Sequence, residues 1–294
     1  MELKEIPTTE EITRLSEITD DQVVHIKDAI EKGKGNLDRF PIGFRELDES
    51  MSGGLKYGDL YVISGKSGQG KTTLAQTMTY NLCKQGFPCL WFSFEVSLEH
   101  LNRKFEEMGI GNFYYAYTPK KITTGKLDWV KFKIKEAKLK YDVPIVVIDH
   151  IDFLLPSTIT RGDSREIMLK NVTMELKSIA IQENVIIILL AHLRKLSADK
   201  EPDMEDIGYS GGIYQNADYV VFVMREKIGE AIGLANKQNS GYTYSNNSII
   251  KYVKNRETGI LKFIKCQYDN GRLLQLDTIQ EEPVGNAPMF GERG

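Results

Sequence analysis

Gly65-Lys66-Ser67-Gly68-Gln69-Gly70-Lys71-Thr72 is a complete G-x-x-x-x-G-K-T phosphate loop. Its flanks are the ones such a loop requires. Leu60-Tyr61-Val62-Ile63-Ser64 has the apolar character of a buried strand, and beyond Thr73 the spacing of Leu74, Met78 and Leu82 marks one face of a helix reaching Lys84. Glycines let the backbone close around phosphates, while consecutive N–H groups and the helix N-terminus supply positive potential. Lys71 is placed to reach the β/γ-phosphates and Thr72 to ligate Mg²⁺, so Gly65 to Thr73 form the expected nucleotide-binding segment.

Further apolar runs read as strands of the same sheet, each ending on a residue able to do chemistry. Cys89-Leu90-Trp91-Phe92-Ser93-Phe94 stops at Glu95, and Pro144-Ile145-Val146-Val147-Ile148 stops at Asp149. A carboxylate at a strand's C-terminal end faces the crevice where open α/β sheets bind ligands. Glu95 is expected to orient a water against the γ-phosphate, with a simple helix N-terminal charge as the alternative. Asp149 completes the Walker B pattern by accepting hydrogen bonds from Mg²⁺-bound water beside Thr72. Val185 to Leu190 is a third such strand, followed by Ala191 and His192, so His192 is either a γ-phosphate sensor or a structural histidine.

The remainder is read more coarsely. Residues 1–36 carry two capping-box patterns and an amphipathic helix whose apolar face must pack on the core or on another subunit. Residues 111–126 look irregular and Leu127 to Lys140 form a lysine-heavy helix, read as a solvated face. Two polar loops, about 156–165 and 197–216, lie at the ligand-facing edge, and residues 226–247 suggest an exposed excursion. Ile249 to Val253 and Leu261 to Ile264 alternate as an antiparallel hairpin, with Lys254 and Arg256 at its tip. Residues 280–294, rich in Pro and Gly, read as a loose tail.

Composition narrows the function classes. The 294 residues are 41% hydrophobic, enough for one large α/β core and a small appendage. With 38 basic against 41 acidic residues the net charge is −3, so any nucleic acid must be held by locally placed groups and not by bulk charge. No apolar run approaches a membrane span and the N-terminus lacks the pattern of a signal peptide, which leads to the expectation of a cytoplasmic protein without membrane partners. Three cysteines make neither a disulfide framework nor a zinc knuckle.

Taken in order, these motifs resemble the RecA-like motor domain of the DnaB family of ring helicases, including phage primase-helicases and Twinkle. The resemblance covers about residues 37–277 and is carried by Phe44 through Gly58, Ser93 through Ser97, Ile148-Asp149 and Ala191 through Lys195. Ser210-Gly211-Gly212 through Asp218 and Lys254 through Gly259 complete it. It implies a mostly parallel sheet flanked by helices with a C-terminal antiparallel hairpin, divided as a linker region at 1–36, a motor domain at 37–279 and a tail at 280–294. It also implies ATP with Mg²⁺, a ring of copies of the chain, expected to be a hexamer, single-stranded DNA as track, and a primase or helicase loader as further partner.

Residue by residue, the resemblance implies that Glu95 is the catalytic glutamate, Asp149 the Walker B acid, and His192 the sensor where many members have glutamine. Lys254 and Arg256 match a K-x-R element whose arginine acts on a neighbour's nucleotide. Arg161, Arg165, Ser210, Gly211 and Gly212 fall on segments expected to grip DNA. The chain departs from the bacterial pattern at Gly208-Tyr209, where an Arg-Glu pair is typical, and carries no collar or primase domain within residues 1–36, as expected of a stand-alone phage- or plasmid-type motor or of a fragment. The expected activity is ATP-driven translocation and duplex unwinding, with 5′-to-3′ polarity. Alternatives are a RadA- or KaiC-like ATPase that does not unwind, or a non-hydrolysing scaffold.

Overall fold

In the computed structural model, residues 39–110, 113–115, 125–155, 164–192, 211–230 and 242–276 are described. They build one nine-stranded sheet in the order β3-β2-β4-β5-β1-β6-β7-β8-β9. The strands are β1 (Leu60–Gly65), β2 (Cys89–Ser93), β3 (Phe113–Tyr115), β4 (Ile145–Asp149), β5 (Ile186–His192), β6 (Tyr219–Glu230), β7 (Tyr242–Asn255), β8 (Phe263–Asp269) and β9 (Arg272–Gln275). The first six pair in parallel, and β6 through β9 pair as antiparallel neighbours. The expected α/β class, with a parallel body and antiparallel C-terminal strands, is what the chain adopts.

Continuous apolar strands demand two covered faces, and helices supply them. On β1, Tyr61 and Ile63 enter one core with Leu74, Met78 and Leu82 of α2 (Lys71–Lys84). Leu60 and Val62 enter the other, with Leu176 and Ile179 of α5 (Arg165–Gln182) and Val130 and Ile134 of α4 (Lys126–Tyr141). Helices α1 (Arg45–Ser50) and α3 (Leu98–Glu107) pack on the α2 side through Leu47, Leu101 and Phe105. Most lysines of α4 pair on its outer face, Lys133 and Lys140 with Glu136, Lys135 with Glu183 and Lys138 with Asp142, while Lys126 turns to the Phe153 and Leu155 carbonyls. No described helix is long and apolar enough to cross a membrane.

Three local expectations need correction. The stretch read as irregular after residue 110 contains edge strand β3, too short for a pattern to show. Its Phe113 meets Phe105 at 4.5 Å and its Tyr114 stacks on Tyr141 at 4.4 Å. The polar excursion at 226–247 is in part a long ribbon, since β6 runs on to Glu230 and β7 starts at Tyr242. Polar residues serve there because its cross-strand pairs are themselves polar: Glu226 accepts hydrogen bonds from Ser245 (3.0 Å) and Asn247 (2.9 Å). Finally, the loop read at 197–216 ends in a short helix, α6 (Gly211–Asn216), despite its two glycines. Buried Ile213 fixes it in the core, and Ala217 N–H closes its last turn on the Ile213 carbonyl at 3.1 Å. Strand β9 follows the tight Asn270-Gly271 turn (φ +45° and +87°), an Asn-Gly hairpin signal that lies beyond the hairpin read at 249–264. The helix read in residues 1–36 and the tail at 280–294 lie outside the described residues.

The lead-in to β1 depends on glycine at one point. Gly54 has φ +128°, and a β-carbon there would stand 2.6 Å from the Phe40 carbonyl carbon and oxygen, where Phe40 and Leu55 exchange backbone hydrogen bonds. Gly54→Ala is therefore expected to cost about 2–3 kcal/mol, read as a lower denaturant midpoint with unchanged slope.

Candidate nucleotide site

The parallel register gathers the strand C-termini along one edge. Gly65 stands opposite His192 on β5, and Ser93 opposite Asp149 on β4. Between β1 and α2 the loop turns through Gly68 (φ +74°) and Gly70 (φ +99°), which is the N-cap of α2. Gly65 lies so near β6 that a β-carbon would meet the Val223 carbonyl oxygen at 2.6 Å. Gln69 anchors the loop to the same strand, its Oε1 accepting the Arg225 N–H at 2.8 Å.

The loop's polar groups are preset for an anion and a hard cation. Lys71, largely buried, donates from Nζ to the Gly65 (3.0 Å) and Lys66 (3.1 Å) carbonyls. Burial lowers its pKa and the nearby Glu95 and Asp149 raise it, with burial the larger effect. Thr72 donates to Asp149 Oδ2 at 3.0 Å. Asp149 is 1% exposed, and burial raises its pKa despite the Thr72 hydrogen bond. A buried carboxylate held by a hydroxyl is a group that gains from a cation, so these residues fit Mg²⁺.

Glu95 is set by the turn after β2. Phe94 N–H donates to the Asp149 carbonyl at 2.7 Å, and Ser93 Oγ donates to the Val96 carbonyl at 2.7 Å. Phe94 stacks on Phe153 with ring centres 3.8 Å apart. The carboxylate thus projects at the same edge, half exposed, with Oε2 3.4 Å from His150 Nδ1 and 3.9 Å from His192 Nε2. Burial, Lys71 and His150 together lower the His192 pKa, which favours the neutral imidazole at pH 7. His150 carries no signal in the sequence, because a position one residue beyond the Walker B acid says nothing about where its ring points.

Nor does the sequence disclose the cavity beside the loop. About 290 Å³ in volume, it is lined by Gly68, Gln69, Gly70, Thr73, Arg225 and Tyr268, among others. Arg225 on β6 and Tyr268 on β8 are more than 150 residues from the loop in sequence, and only strand pairing brings them to it.

Lys254 and Arg256 lie elsewhere. Arg256 pairs with Asp218 (Nη1 to Oδ1, 3.2 Å), and Asp218 precedes β6 and accepts the Leu60 N–H at the start of β1. Since Leu60 and Gly65 are opposite ends of β1, Arg256 sits at the edge of the sheet away from the phosphate loop, about 16 Å along the strand. Lys254 Nζ donates to the Tyr214 and Gln215 carbonyls of α6, and Arg256 Nη2 donates to the Gln215 carbonyl at 2.9 Å. Burial and then the Arg256 charge push the Lys254 pKa down to about 8. Of the residues read as DNA contacts, Gly211 and Gly212 open α6, and Arg165 begins α5, where it pairs with Asp152 at 2.8 Å. Arg161 and Ser210 lie outside the described residues.

The turn that carries Arg256 is clamped by its neighbour. Glu257 accepts two hydrogen bonds from Arg39 (2.6 and 3.0 Å) and one from Tyr219 Oη (2.8 Å), and lies 3.5 Å from Lys56 Nζ. The Arg39 hydrogen bond, chiefly, holds its pKa down to about 2, against an ordinary 4.5. A carboxylate with a depressed folded pKa contributes stability that is complete above its unfolded pKa and lost as pH falls through the folded one. Glu257→Gln should therefore lower stability clearly at pH 7, and the gap to wild type should close as pH falls from about 4.5 towards 2 in urea unfolding.

Comparison with known proteins bears on the family and the fold. Residues 118–272 match the sequence model of the DnaB-like helicase C-terminal domain, and residues 40–189 match that of the ATPase KaiC. The replicative DNA helicase DnaC of Bacillus subtilis is 28% identical over 243 residues, covering 70% of this chain and 52% of that protein. The chain spans about half the length of the curated relatives it matches. Among solved structures, one ATPase domain superposes with a TM-score of 0.68 at 20% identity, covering 88% of this chain and 98% of that one. A DnaB-like replicative helicase, solved in a study of its interactions with primase, superposes at 0.69 and 20% identity over 91% of this chain and 71% of its own. At such identity these likenesses speak for the fold.

Proposed function

Because the chain belongs to the DnaB-like helicase C-terminal domain family, we propose that it is an ATP-driven motor that translocates on single-stranded DNA and unwinds duplex as a ring of its own copies. One observation carries this reading: the phosphate loop, Glu95 and Asp149 share one edge of the sheet, while Arg256 is fastened to the opposite edge through Asp218. A nucleotide chamber holding both needs two chains.

The roles follow from position. Backbone amides of the loop and Lys71 hold the phosphates, and Thr72 with Asp149 holds Mg²⁺, which when bound neutralises phosphate charge. Glu95 orients the attacking water and takes up its proton, a task suited to a half-exposed carboxylate at this edge. His192, neutral, donates to or senses the γ-phosphate. The cavity between Arg225 and Tyr268 would receive the sugar and base. From the neighbouring copy, Arg256 leaves Asp218 to meet the charge that builds on the transferring phosphoryl group.

Single-stranded DNA would run along the loops at 157–165 and 206–214, with Arg161, Arg165, Ser210, Gly211 and Gly212 as contacts. Helix α6 follows the second loop and has its carbonyls held by Lys254 and Arg256, so movement of DNA would be felt at the finger. Residues 1–36 would dock on the adjacent copy, with the motor at 37–279, and a primase or loader would join in the cytoplasm. A second reading, a related ATPase without unwinding, is favoured by the KaiC match, which covers the phosphate loop and stops short of Arg256.

ATP turnover with and without single-stranded DNA separates these readings: strong stimulation is expected, and DNA-independent turnover would favour the second. Lys71→Ala should abolish nucleotide binding. Glu95→Gln should bind ATP and not hydrolyse it, and wild-type turnover by that variant would remove Glu95 from its role. Arg256→Ala should lose about 10³–10⁵ in turnover with binding kept. Mixed rings of Glu95→Gln and Arg256→Ala copies should regain part of the activity that each lacks, measured on single rings so that whole-ring inhibition is separated from failure of the trans contact.

A further inference from the structure

Glu95, His150 and His192 converge beside the Mg²⁺ position. One ligand atom from each lies within 4.8 Å of the other two. The two imidazole nitrogens nearest the carboxylate lie beside the same oxygen: His150 Nδ1 at 3.4 Å and His192 Nε2 at 3.9 Å from Glu95 Oε2. Zinc bonds to nitrogen and oxygen at about 2.0–2.2 Å, which spaces donors about 3.3 Å apart around a tetrahedral ion. Small side-chain shifts would close the set, leaving a fourth position for water.

A second observation points to a ligand. His150 Nδ1 is sealed from solvent and has no hydrogen-bond partner among the described residues, its distance from Glu95 Oε2 notwithstanding. A buried polar atom in that state costs free energy unless something pairs with it. Its other nitrogen, Nε2, lies 3.8 Å from Asp152 Oδ2, and Asp152 is itself fixed by Arg165 at 2.8 Å. A carboxylate hydrogen-bonded behind the outer nitrogen is the usual support of a metal-ligating histidine, and Asp152, too far at 3.8 Å to make that bond here, stands one small side-chain shift from it. Burial first, and then the Lys71 charge, lower the His192 pKa, which keeps that ring neutral at pH 7.

We propose that Glu95, His150 and His192 bind one imidazole-preferring divalent transition ion, with Zn²⁺ as the type ion, separate from the Mg²⁺ held by Thr72 and Asp149. Magnesium takes oxygen ligands and does not compete for such a site, whereas zinc takes two imidazoles and a carboxylate readily. Bound there, the ion occupies the Glu95 carboxylate and arrests hydrolysis without displacing nucleotide from the loop. That consequence rests on the proposed role of Glu95, and the site itself does not.

The test is a titration of Zn²⁺, and of Co²⁺ followed by its visible absorption, into the nucleotide-free full chain. Saturation at one ion per chain is expected, lost in His150→Gln and separately in His192→Gln, and weakened about 10–100-fold in Asp152→Asn. Circular dichroism establishes that each variant is folded. No binding by wild type, or binding that survives both histidine changes, would overturn the site. In the presence of excess Mg²⁺, Zn²⁺ should silence ATP turnover by wild type and spare that of His150→Gln. Histidine-dependent binding with undiminished turnover would leave the site standing and sink the role given to Glu95.

Discussion

Everything at the nucleotide edge depends on strand β1 being paired in parallel on both sides, with β5 and with β6. Parallel neighbours require long crossovers, and crossovers bring helices onto both faces. Those helices bury the apolar strands completely and force every strand of the parallel body to end at the same edge. Lys71, Asp149, Glu95 and His192 are therefore neighbours in space although 121 residues separate the first from the last. The pairing rule brings all four to this edge, and the turn held by Ser93 Oγ on the Val96 carbonyl then sets Glu95.

The opposite edge obeys a different constraint. Asp218 is 7% exposed and faces three cationic or N–H partners: Lys177 at 2.5 Å, Arg256 at 3.2 Å and the Leu60 N–H at 2.8 Å. A buried carboxylate so surrounded is satisfied within its own chain. Arg256 is nonetheless half exposed, so Asp218 can release it while keeping Lys177 and Leu60. Arg256 is thus held, oriented and still accessible, which suits the role proposed for it. The Glu257 clamp adds rigidity to the mount without restraining the guanidinium itself.

The nucleotide edge contains a tension of its own. Asp149, Glu95 and Lys71 are close enough that the acids raise the Lys71 pKa while burial lowers it, and burial raises that of Asp149. Such opposed environments belong to sites built to receive charge. The two histidines at 4.7 Å ring separation extend that edge, giving it softer donors beside the hard ones at Thr72 and Asp149.

Neighbouring residues in the chain suffice to read the α/β class, the phosphate loop, the strand-ending residues Glu95, Asp149 and His192, and the hairpin bearing Lys254 and Arg256. Glycine spacing, uninterrupted apolar runs and periodicity are local signals. Where the local signal is weak, the reading fails. The polar β6–β7 ribbon reads as loop because its cross-strand partners, Glu226 with Ser245 and Asn247, are polar. The glycine-led α6 reads as loop because tertiary contacts hold it, its own Ile213 buried in the core and Lys254 on the Tyr214 carbonyl. Packing in three dimensions is what turns His150 towards Glu95, sets Arg225 and Tyr268 beside the loop, and moors Arg256 on Asp218. Each of those depends on strand order and on side-chain direction across the sheet, which are fixed between segments far apart in the chain and leave no periodic trace in it.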